Sequence, residues 1–280
     1  MSQKRLSNVK AVIAVASGKG GVGKSTVAVN LACALSKLNK KVGILDADIY
    51  GPSQHIMLGL SQLTPDMDEN RKIKPAEKFG LKIMSFGFFV KADEAVVWRG
   101  PMIARMLQQL IDDVTWGDLD YLIVDLPPGT GDVQLTLSQL LQVTGAVVVT
   151  TPQDVALADA IKGITMFRKV NVDILGIIEN MAFFACPNCH HEAHIFSRGG
   201  GRETARVMNT PFLGELPLEE STRTNADKGT PLVFSEPQSD QAKRFMDMAT
   251  KVDSQVQLLL SEGLSQLPTP PLAKGDSFTV

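Results

Sequence analysis

The sequence predicts an α/β fold: a doubly wound, mostly parallel β-sheet with helices on both faces. Two observations predict it. Short apolar runs alternate along the chain with helical stretches of ten or more residues, and the first apolar run leads directly into a glycine-rich loop. Because parallel strands need such crossover connections, we expect a single domain over residues 1–265. Residues 266–280 contain three prolines without periodicity, which predicts a flexible tail.

The strands are predicted where short, buried apolar runs occur, and the helices where apolar residues recur at helical spacing. The predicted strands are Ala11–Ser17, Lys41–Asp48, Leu81–Phe88, Asp120–Asp125, Gly145–Thr151, Val172–Met181 and Pro211–Leu218. The predicted helices are Ser25–Leu38, Pro101–Val114, Val155–Val170 and Asp240–Leu260. The polar, proline-containing residues 61–80 predict an excursion from the sheet. The last helix has an apolar stripe and a polar face of mixed charge, which favours packing on the sheet over membrane binding.

The loop after the first strand is a phosphate-binding motif. Gly18, Gly23, Lys24 and Ser25 satisfy the Walker A pattern G-x4-G-K-[ST]. Its backbone N–H groups can surround a polyphosphate, Lys24 can reach the β- and γ-phosphates, and the Ser25 hydroxyl can bind Mg²⁺. A second lysine, Lys19, lies inside the loop. We therefore predict that ATP binds to Gly18, Lys19, Gly20, Gly21, Val22, Gly23, Lys24, Ser25 and Thr26.

The same glycines admit a competing interpretation. Gly18, Gly20 and Gly23 also satisfy the dinucleotide pattern G-x-G-x-x-G, with Asp46 at the end of the next strand as a ribose-binding acid. The residues that follow Gly23 decide against it. A dinucleotide site has no use for a lysine and a hydroxyl directly after its last glycine, whereas Mg²⁺-ATP needs both.

Three aspartates are candidate partners of the phosphate loop. Asp125 ends a buried strand and precedes a Pro-Pro-Gly-Thr-Gly turn, the position of a Walker B acid that organises Mg²⁺. Asp46 and Asp48 are two residues apart and would share one face of a strand that continued through both. We favour Asp48 as the group that orients the attacking water. Asp46 is then either a second ligand of the Mg²⁺ shell or a structural hydrogen-bond acceptor.

A second group of candidate functional residues is the C-x2-C motif Cys186-Pro-Asn-Cys189, followed by His190, His191 and His194. Two thiolates at this spacing can bind one metal ion or one cluster edge. Four ligands are usual, so three completions are open. Two chains could share an iron–sulfur cluster, the histidines could complete a zinc site, or the two thiols could cycle with a disulfide. Cys33 lies on the apolar face of a predicted helix and is expected in the core.

Bulk properties exclude several function classes. The net charge of −2 gives no general attraction to nucleic acid, so no nucleic-acid partner is expected. No apolar run is long enough to cross a bilayer, so no stable membrane insertion is expected. Three cysteines do not make a disulfide framework, which indicates a reducing compartment.

Beyond single motifs, the chain resembles a known family over about residues 9–245. The run from Ala16 to Thr26, with its additional lysine, is similar to the deviant Walker A loop of dimeric P-loop ATPases such as the septum-site, plasmid-partition and nitrogenase iron proteins. Other segments resemble the Mrp/ApbC iron–sulfur carriers and their mitochondrial complex I assembly member. These segments are Leu45–Ser53, Val97–Pro101, Val124–Asp132, Thr151–Asp154, Glu179–Met181 and Cys186–Cys189.

This resemblance implies more than the residues alone show. It implies a homodimer in which Lys19 reaches the partner's nucleotide, and slow ATP hydrolysis with Lys19, Lys24, Asp48 and Asp125 as catalytic residues. Asn180 would contact the adenine ring, and Pro217 would be a further nucleotide-binding residue. Cys186 and Cys189 of two chains would hold one [4Fe–4S] cluster for transfer to apo-proteins. No cysteine precedes Cys33, unlike the cytosolic eukaryotic relatives with an N-terminal cluster motif.

The leading hypothesis is therefore an ATP-binding iron–sulfur carrier, with respiratory complex I as a possible destination of the cluster. It would act in the mitochondrial matrix or, alternatively, in a bacterial cytoplasm. One competing hypothesis is a positioning ATPase, which would leave Cys186 and Cys189 without a role. The other is a zinc-stabilised nucleotide switch that uses the histidines together with the thiols.

Overall fold

The computed structural model describes residues 6–89, 100–189 and 191–265. Its strands are β1 (Val9–Ser17), β2 (Val42–Asp46), β3 (Ala76–Lys78), β4 (Leu81–Ser85), β5 (Leu119–Asp125), β6 (Gly145–Thr150), β7 (Asp173–Glu179), β8 (Phe184–Ala185), β9 (Glu192–Ala193) and β10 (Phe212–Glu215). Its α-helices are α1 (Lys24–Lys37), α2 (Gln54–Met57), α3 (Gly100–Asp112), α4 (Asp132–Leu140), α5 (Asp154–Lys169), α6 (Gly200–Val207), α7 (Glu220–Asp227), α8 (Leu232–Ser235) and α9 (Asp240–Ser265).

Eight of these strands form one sheet, in the order β10-β7-β6-β1-β5-β2-β4-β3. Every neighbouring pair is parallel except β3 and β4, which are antiparallel. The strand that carries the phosphate loop, β1, lies between β5 and β6. Parallel strands end at the same edge of a sheet, so the carboxyl ends of β1, β2 and β5 bring their following loops together.

Both faces of the sheet are covered, which confirms the doubly wound α/β prediction. Alternate residues of β1 enter different core clusters, with Ile13 and Val15 on one side and Val12 and Ala14 on the other. The first cluster is shared with α1, α8 and α9, and the second with α3, α4 and α5. This alternation follows from the side-chain period of two along a strand.

The long C-terminal helix packs on the sheet, as its mixed polar face predicts. Phe245, Val252 and Val256 are fully buried in the cluster that α9 shares with α1. A polar contact adds to this apolar one, since the Tyr121 hydroxyl donates to Asp253 and accepts from Gln257 Nε2 at 2.9 Å. Cys33 on α1 is completely buried in the same core, as expected. None of the helices described is long and apolar enough to span a membrane.

Some predicted boundaries were wrong in ways that affect the site. β2 ends at Asp46 and not at Asp48, so Asp48 belongs to the following loop. The predicted strand Leu81–Phe88 ends at Ser85 and continues as a short 3-10 turn. The excursion over residues 61–80 contains the edge strand β3. Residues 97–99, His190 and the predicted tail over residues 266–280 lie outside the described residues.

Candidate functional site

The phosphate loop connects the end of β1 to the first turn of α1, and two of its glycines are required by their surroundings. Gly18 packs so closely on the backbone of Asp159 in α5 that a side chain would overlap it. Gly23 has a left-handed backbone with φ of 83°, and a Cβ there would overlap the Asn180 amide. The loop is tied to the segment after β5, because Gly129 N–H donates to Ser17 O at 2.8 Å.

The Walker lysine is buried within an acidic pair. Lys24 Nζ lies 2.5 Å from Asp125 Oδ1 and 3.5 Å from Asp48 Oδ2, and its side chain is only 6% exposed. Two carboxylates therefore neutralise the ammonium that the sequence assigns to the phosphates. The charges of a triphosphate would compete with these carboxylates for Lys24. The structure thus brings together three of the four predicted catalytic residues.

Asp46 is a structural acceptor in this arrangement. Its carboxylate accepts from the backbone N–H of Ser53 at 2.9 Å, of Gln54 at 3.0 Å and of Asp48 at 3.2 Å, and from the Ser85 hydroxyl at 2.8 Å. These bonds shape the loop after β2 and the start of α2. Complete burial, together with the nearby Asp125, raises the pKa of Asp46.

Asp48 lies beside Lys24 in the loop after β2. It is 6% exposed, and its Oδ1 accepts from Gly51 N–H at 3.3 Å. Burial raises its pKa, Lys24 opposes that shift, and Asp125 adds to it. A carboxylate with a raised pKa is a better proton acceptor, which suits a group that orients water.

The donor set fits a magnesium ion, which prefers oxygen ligands. The Ser25 hydroxyl is 3.2 Å from Lys24 Nζ, which in turn contacts Asp125. Gln54, whose amide nitrogen contacts Asp125 and Ser25 O, has a buried Oε1 with no hydrogen-bond partner among the described residues. The residues that would hold the metal are Ser25 and Asp125, with Gln54 of α2 beside them.

Gln54 is a site residue that the sequence did not reveal. It is completely buried at the first position of α2. Its amide nitrogen donates to Asp125 Oδ2 at 2.8 Å and to Ser25 O at 3.0 Å. No spacing motif marks this position, because its role depends on the turn that Asp46 imposes on the chain.

Lys19 stands apart from this network. Its ammonium is 3.5 Å from Gln153 Oε1, at the start of α5, and its carbonyl accepts from the Ser17 hydroxyl at 2.9 Å. The side chain is half-buried at the rim of the loop. Lys24 and not Lys19 contacts the buried acids.

The other two residues predicted to bind the nucleotide, Asn180 and Pro217, follow strands on the other side of β1 from Asp125. Asn180 directly follows β7, and its amide nitrogen donates to Val22 O at 2.8 Å. Pro217 follows β10 and is buried. The two segments are paired by backbone hydrogen bonds, from Leu216 N–H to Glu179 O at 2.8 Å and from Ala182 N–H to Leu216 O at 3.0 Å.

The C-x2-C motif occupies the tip of a small hairpin made by β8 and β9. Cys186 is half-buried and Cys189 is exposed, and neither forms a disulfide. The backbone N–H groups of Cys189 and Asn188 point at the Cys186 sulfur, and they lower the pKa of Cys186 together with the Cys189 thiol. Hydrogen bonds to the charged form favour a thiolate, which is the form that binds metals.

The chain segment that carries this hairpin is fixed at both ends by consecutive residues. It leaves the sheet at Asn180, whose side chain is bound to the phosphate loop. It returns at α6, where the Gly201 N–H donates to the fully buried carboxylate of Glu179. Gly201 fits only as glycine, because a Cβ would lie 2.9 Å from Glu179 Cβ. Burial raises the pKa of Glu179.

One of the histidines after the motif, His194, packs on the segment that precedes the hairpin. His194 is in contact with Ala182 O at 3.3 Å and packs against the edge of Phe183. Within the described residues, which do not include His190, no group of three or more metal-binding side chains is present. The described part of one chain therefore supplies two thiols from Cys186 and Cys189 at this place.

A phosphate loop at the end of β1, opposed by an acid at the end of the neighbouring parallel strand, defines the chain as a P-loop NTPase. A family model described as NUBPL iron-transfer P-loop NTPase, within the ParA group, matches residues 8–253. The chain belongs to this family.

Curated relatives support the same assignment over most of the chain. An iron-sulfur cluster carrier protein of Aquifex aeolicus is 51% identical over 256 residues, covering 91% of this chain and 70% of that protein. The mitochondrial iron-sulfur protein required for NADH dehydrogenase of Arabidopsis thaliana is 52% identical, covering 90% of this chain and 80% of that protein. The iron-sulfur cluster transfer protein NUBPL of Mus musculus is 50% identical, covering 89% of this chain and 79% of that protein.

Solved structures agree on the fold. A nucleotide-binding protein from Archaeoglobus fulgidus in complex with ADP has a TM-score of 0.74 and 40% identity, covering 86% of this chain and 94% of that chain. The septum site-determining protein MinD of Pyrococcus horikoshii, complexed with Mg-ADP, has a TM-score of 0.66 and 25% identity, covering 89% of this chain and 98% of that chain. The chain therefore shares its architecture with proteins that have been seen with a bound nucleotide.

Proposed function

We propose that this protein is an ATP-binding iron–sulfur cluster carrier, which holds a [4Fe–4S] cluster between two copies of the chain and passes it to apo-proteins. One observation supports the proposal most: the phosphate loop and the cysteine hairpin meet at consecutive residues. Asn180 contacts the loop through Val22 O, and Glu179 fixes the returning end of the hairpin segment through Gly201. The carrier and transfer proteins among its relatives agree with this function.

The nucleotide half of the proposed cycle uses the acidic pair around Lys24. Lys24 binds the phosphates, and Ser25 and Asp125 hold Mg²⁺, which neutralises phosphate charge when bound. Asp48 orients the attacking water, and hydrolysis is slow. Asn180 contacts the adenine ring in this proposal, and Pro217 is a further nucleotide-binding residue.

The cargo half uses Cys186 and Cys189. A [4Fe–4S] cluster takes four thiolate ligands, so two from each chain suffice when a two-fold axis relates the copies. Cys189 is exposed, which lets the thiols of an apo-protein reach the cluster.

A respiratory NADH dehydrogenase is a proposed destination because the plant relative is named for that requirement. The proposed compartment is the mitochondrial matrix, because the plant relative is named as mitochondrial, or alternatively a bacterial cytoplasm, because other relatives are bacterial proteins.

Anaerobic reconstitution with iron and sulfide tests the carrier directly. The wild type should bind about four irons and four sulfides per two chains and migrate as a dimer. The double variant Cys186→Ala/Cys189→Ala should lose the cluster and its visible absorbance, whereas the control Cys33→Ala should keep both. Cys33 is a fair control because it is completely buried in the core. A wild type that takes up about one zinc per chain and no iron would contradict the proposal and favour a zinc-stabilised switch.

The proposed homodimer predicts a specific effect for Lys19. Lys19→Ala should leave the free energy of unfolding within about 0.5 kcal/mol, because a surface contact of this kind contributes little. ATP-dependent dimer formation and hydrolysis should fall at least tenfold if Lys19 acts on the partner's nucleotide. Sedimentation with ATP and steady-state hydrolysis would measure both. Lys162→Ala, which removes a surface pair with Asp159 on α5, is the control. Unchanged dimerisation and hydrolysis in Lys19→Ala would contradict a role across the dimer.

A further inference from the structure

Gln54 has a side chain to which the proposed nucleotide cycle assigns no role. Its side-chain amide is completely buried and makes two hydrogen bonds, at 2.8 Å to Asp125 Oδ2 and at 3.0 Å to Ser25 O. Both partners are acceptors, so the amide nitrogen must face them. The carbonyl oxygen, Oε1, consequently faces away and has no hydrogen-bond partner among the described residues.

An unpartnered buried amide oxygen costs about 1–3 kcal/mol, so its retention at this place needs a reason. A glutamine that only filled space could be replaced by an apolar side chain of the same size. This one touches both predicted magnesium-binding residues, through the carboxylate of Asp125 and the backbone of Ser25. Groups that hold metal ligands in orientation without binding the metal themselves contribute strongly to metal affinity.

The main chain around Gln54 is also fixed. Its N–H and that of Ser53 donate to the same oxygen of the buried Asp46, at 3.0 and 2.9 Å. The Ser85 hydroxyl donates to this oxygen as well, at 2.8 Å. Gln54 therefore lies on a segment that hydrogen bonds hold to β2 and β4. Its side chain connects this segment to β5 and α1 through its bonds to Asp125 and Ser25.

We propose that Gln54 is the positioning residue for the magnesium ligands: it orients the Asp125 carboxylate and the Ser25 turn, and its Oε1 accepts a hydrogen bond from a water of the Mg²⁺-nucleotide complex. The inference rests on the nucleotide half of the proposed function. It does not depend on the cysteine hairpin.

The test compares Gln54→Met with the wild type by titration of Mn²⁺ in the presence of ADP, followed by electron paramagnetic resonance of the free ion. Methionine keeps the length of the side chain but has no amide. Loss of such an outer ligand contact lowers metal affinity by about 10–100-fold, so we expect Mn²⁺ binding at least tenfold weaker. Gln54→Asn keeps the amide on a shorter stem, cannot reach both partners, and should show an intermediate loss.

Tyr121→Phe is the control for a loss of stability alone. It removes a hydroxyl that bonds Asp253 and Gln257, on the same strand as Asp125 but away from the phosphate loop. Its Mn²⁺ affinity should equal that of the wild type even if its melting temperature falls. Wild-type affinity in folded Gln54→Met or Gln54→Asn would overturn the inference. A wild type that itself fails to bind Mn²⁺ with ADP would overturn the inference and the nucleotide half of the proposed function together.

Discussion

Lys24→Met is expected to have the largest effect of any single substitution in this chain. It should weaken ATP binding by about a hundredfold, because hydrogen bonds to charged groups contribute about 1.5–3 kcal/mol each. It should also lower the free energy of unfolding by about 3–5 kcal/mol, since removal of one member of a buried ion pair leaves the other charge uncompensated. Asp125 is completely buried, and Asp48 is nearly so.

Two measurements check this prediction: nucleotide binding by calorimetry, and denaturant unfolding in the absence of nucleotide. The loss of stability should shrink at lower pH. Burial raises the pKa of Asp48 and Lys24 opposes that shift, so without Lys24 the Asp48 carboxylate takes up a proton further above its ordinary range and relieves the uncompensated charge. Lys72→Met is the control, because Lys72 pairs with Asp113 at 2.7 Å on the surface. Such a pair contributes at most about 1 kcal/mol. Equal stabilities of the two variants would contradict the structural role of Lys24.

The fold could be predicted from the sequence because its signals are local. A strand buried on both sides reads as a continuous apolar run, and Ala11–Ala16 of β1 and Tyr121–Val124 of β5 are such runs. The phosphate loop needs glycines at fixed positions, and Gly18 and Gly23 are confined by their neighbours in the structure. Short elements such as α2 and β8 have no periodicity of their own and were not predicted.

The site could be predicted only in part, for a different reason. Lys24, Asp48 and Asp125 follow from motif position and from the geometry of parallel strands, and the structure brings them into contact. Gln54 and Glu179 act through hydrogen bonds to residues far away in the sequence, and no pattern in the sequence marks those partners. Asp46 was left with two interpretations, and its four hydrogen bonds within the protein favour the structural one.

In the proposed function, the phosphate loop and the cysteine hairpin are connected through Asn180, and this connection gives a bound nucleotide a route to the cysteines. Asn180 donates to Val22 O, within the loop that surrounds the phosphates. A nucleotide base that took over this amide would release that bond. The following residues pair with the segment around Leu216 and lead to the hairpin, where Cys186 N–H donates to His191 O at 3.0 Å. A shift at Asn180 therefore has a continuous covalent and hydrogen-bonded route to the thiols.

Asp48→Asn is expected to separate hydrolysis from binding. An asparagine keeps the size of the side chain and can still accept from the Gly51 N–H, so the loop should retain its shape. It cannot accept a proton from water, and loss of a general base lowers the rate by about 10²–10⁴-fold. The kcat for ATP should therefore fall by at least about a hundredfold, while ATP affinity changes by less than about threefold, because an interaction of the transition state has been removed.

Asp46→Asn is the matched control, since it makes the same chemical change two residues earlier. An asparagine there can still accept from Ser53, Gln54 and Ser85 through its one carbonyl oxygen, whereas its NH2 group faces the Asp48 N–H, so that the bond at 3.2 Å is lost. Its kcat should stay within about fivefold of the wild type, because the loss of this one hydrogen bond to the Asp48 backbone amounts to about 1 kcal/mol. Single-turnover hydrolysis and equilibrium binding of both variants would measure the difference. A large loss of kcat in Asp46→Asn with a normal Asp48→Asn would reverse the assignment, and it would make Asp46 the residue that acts on the attacking water.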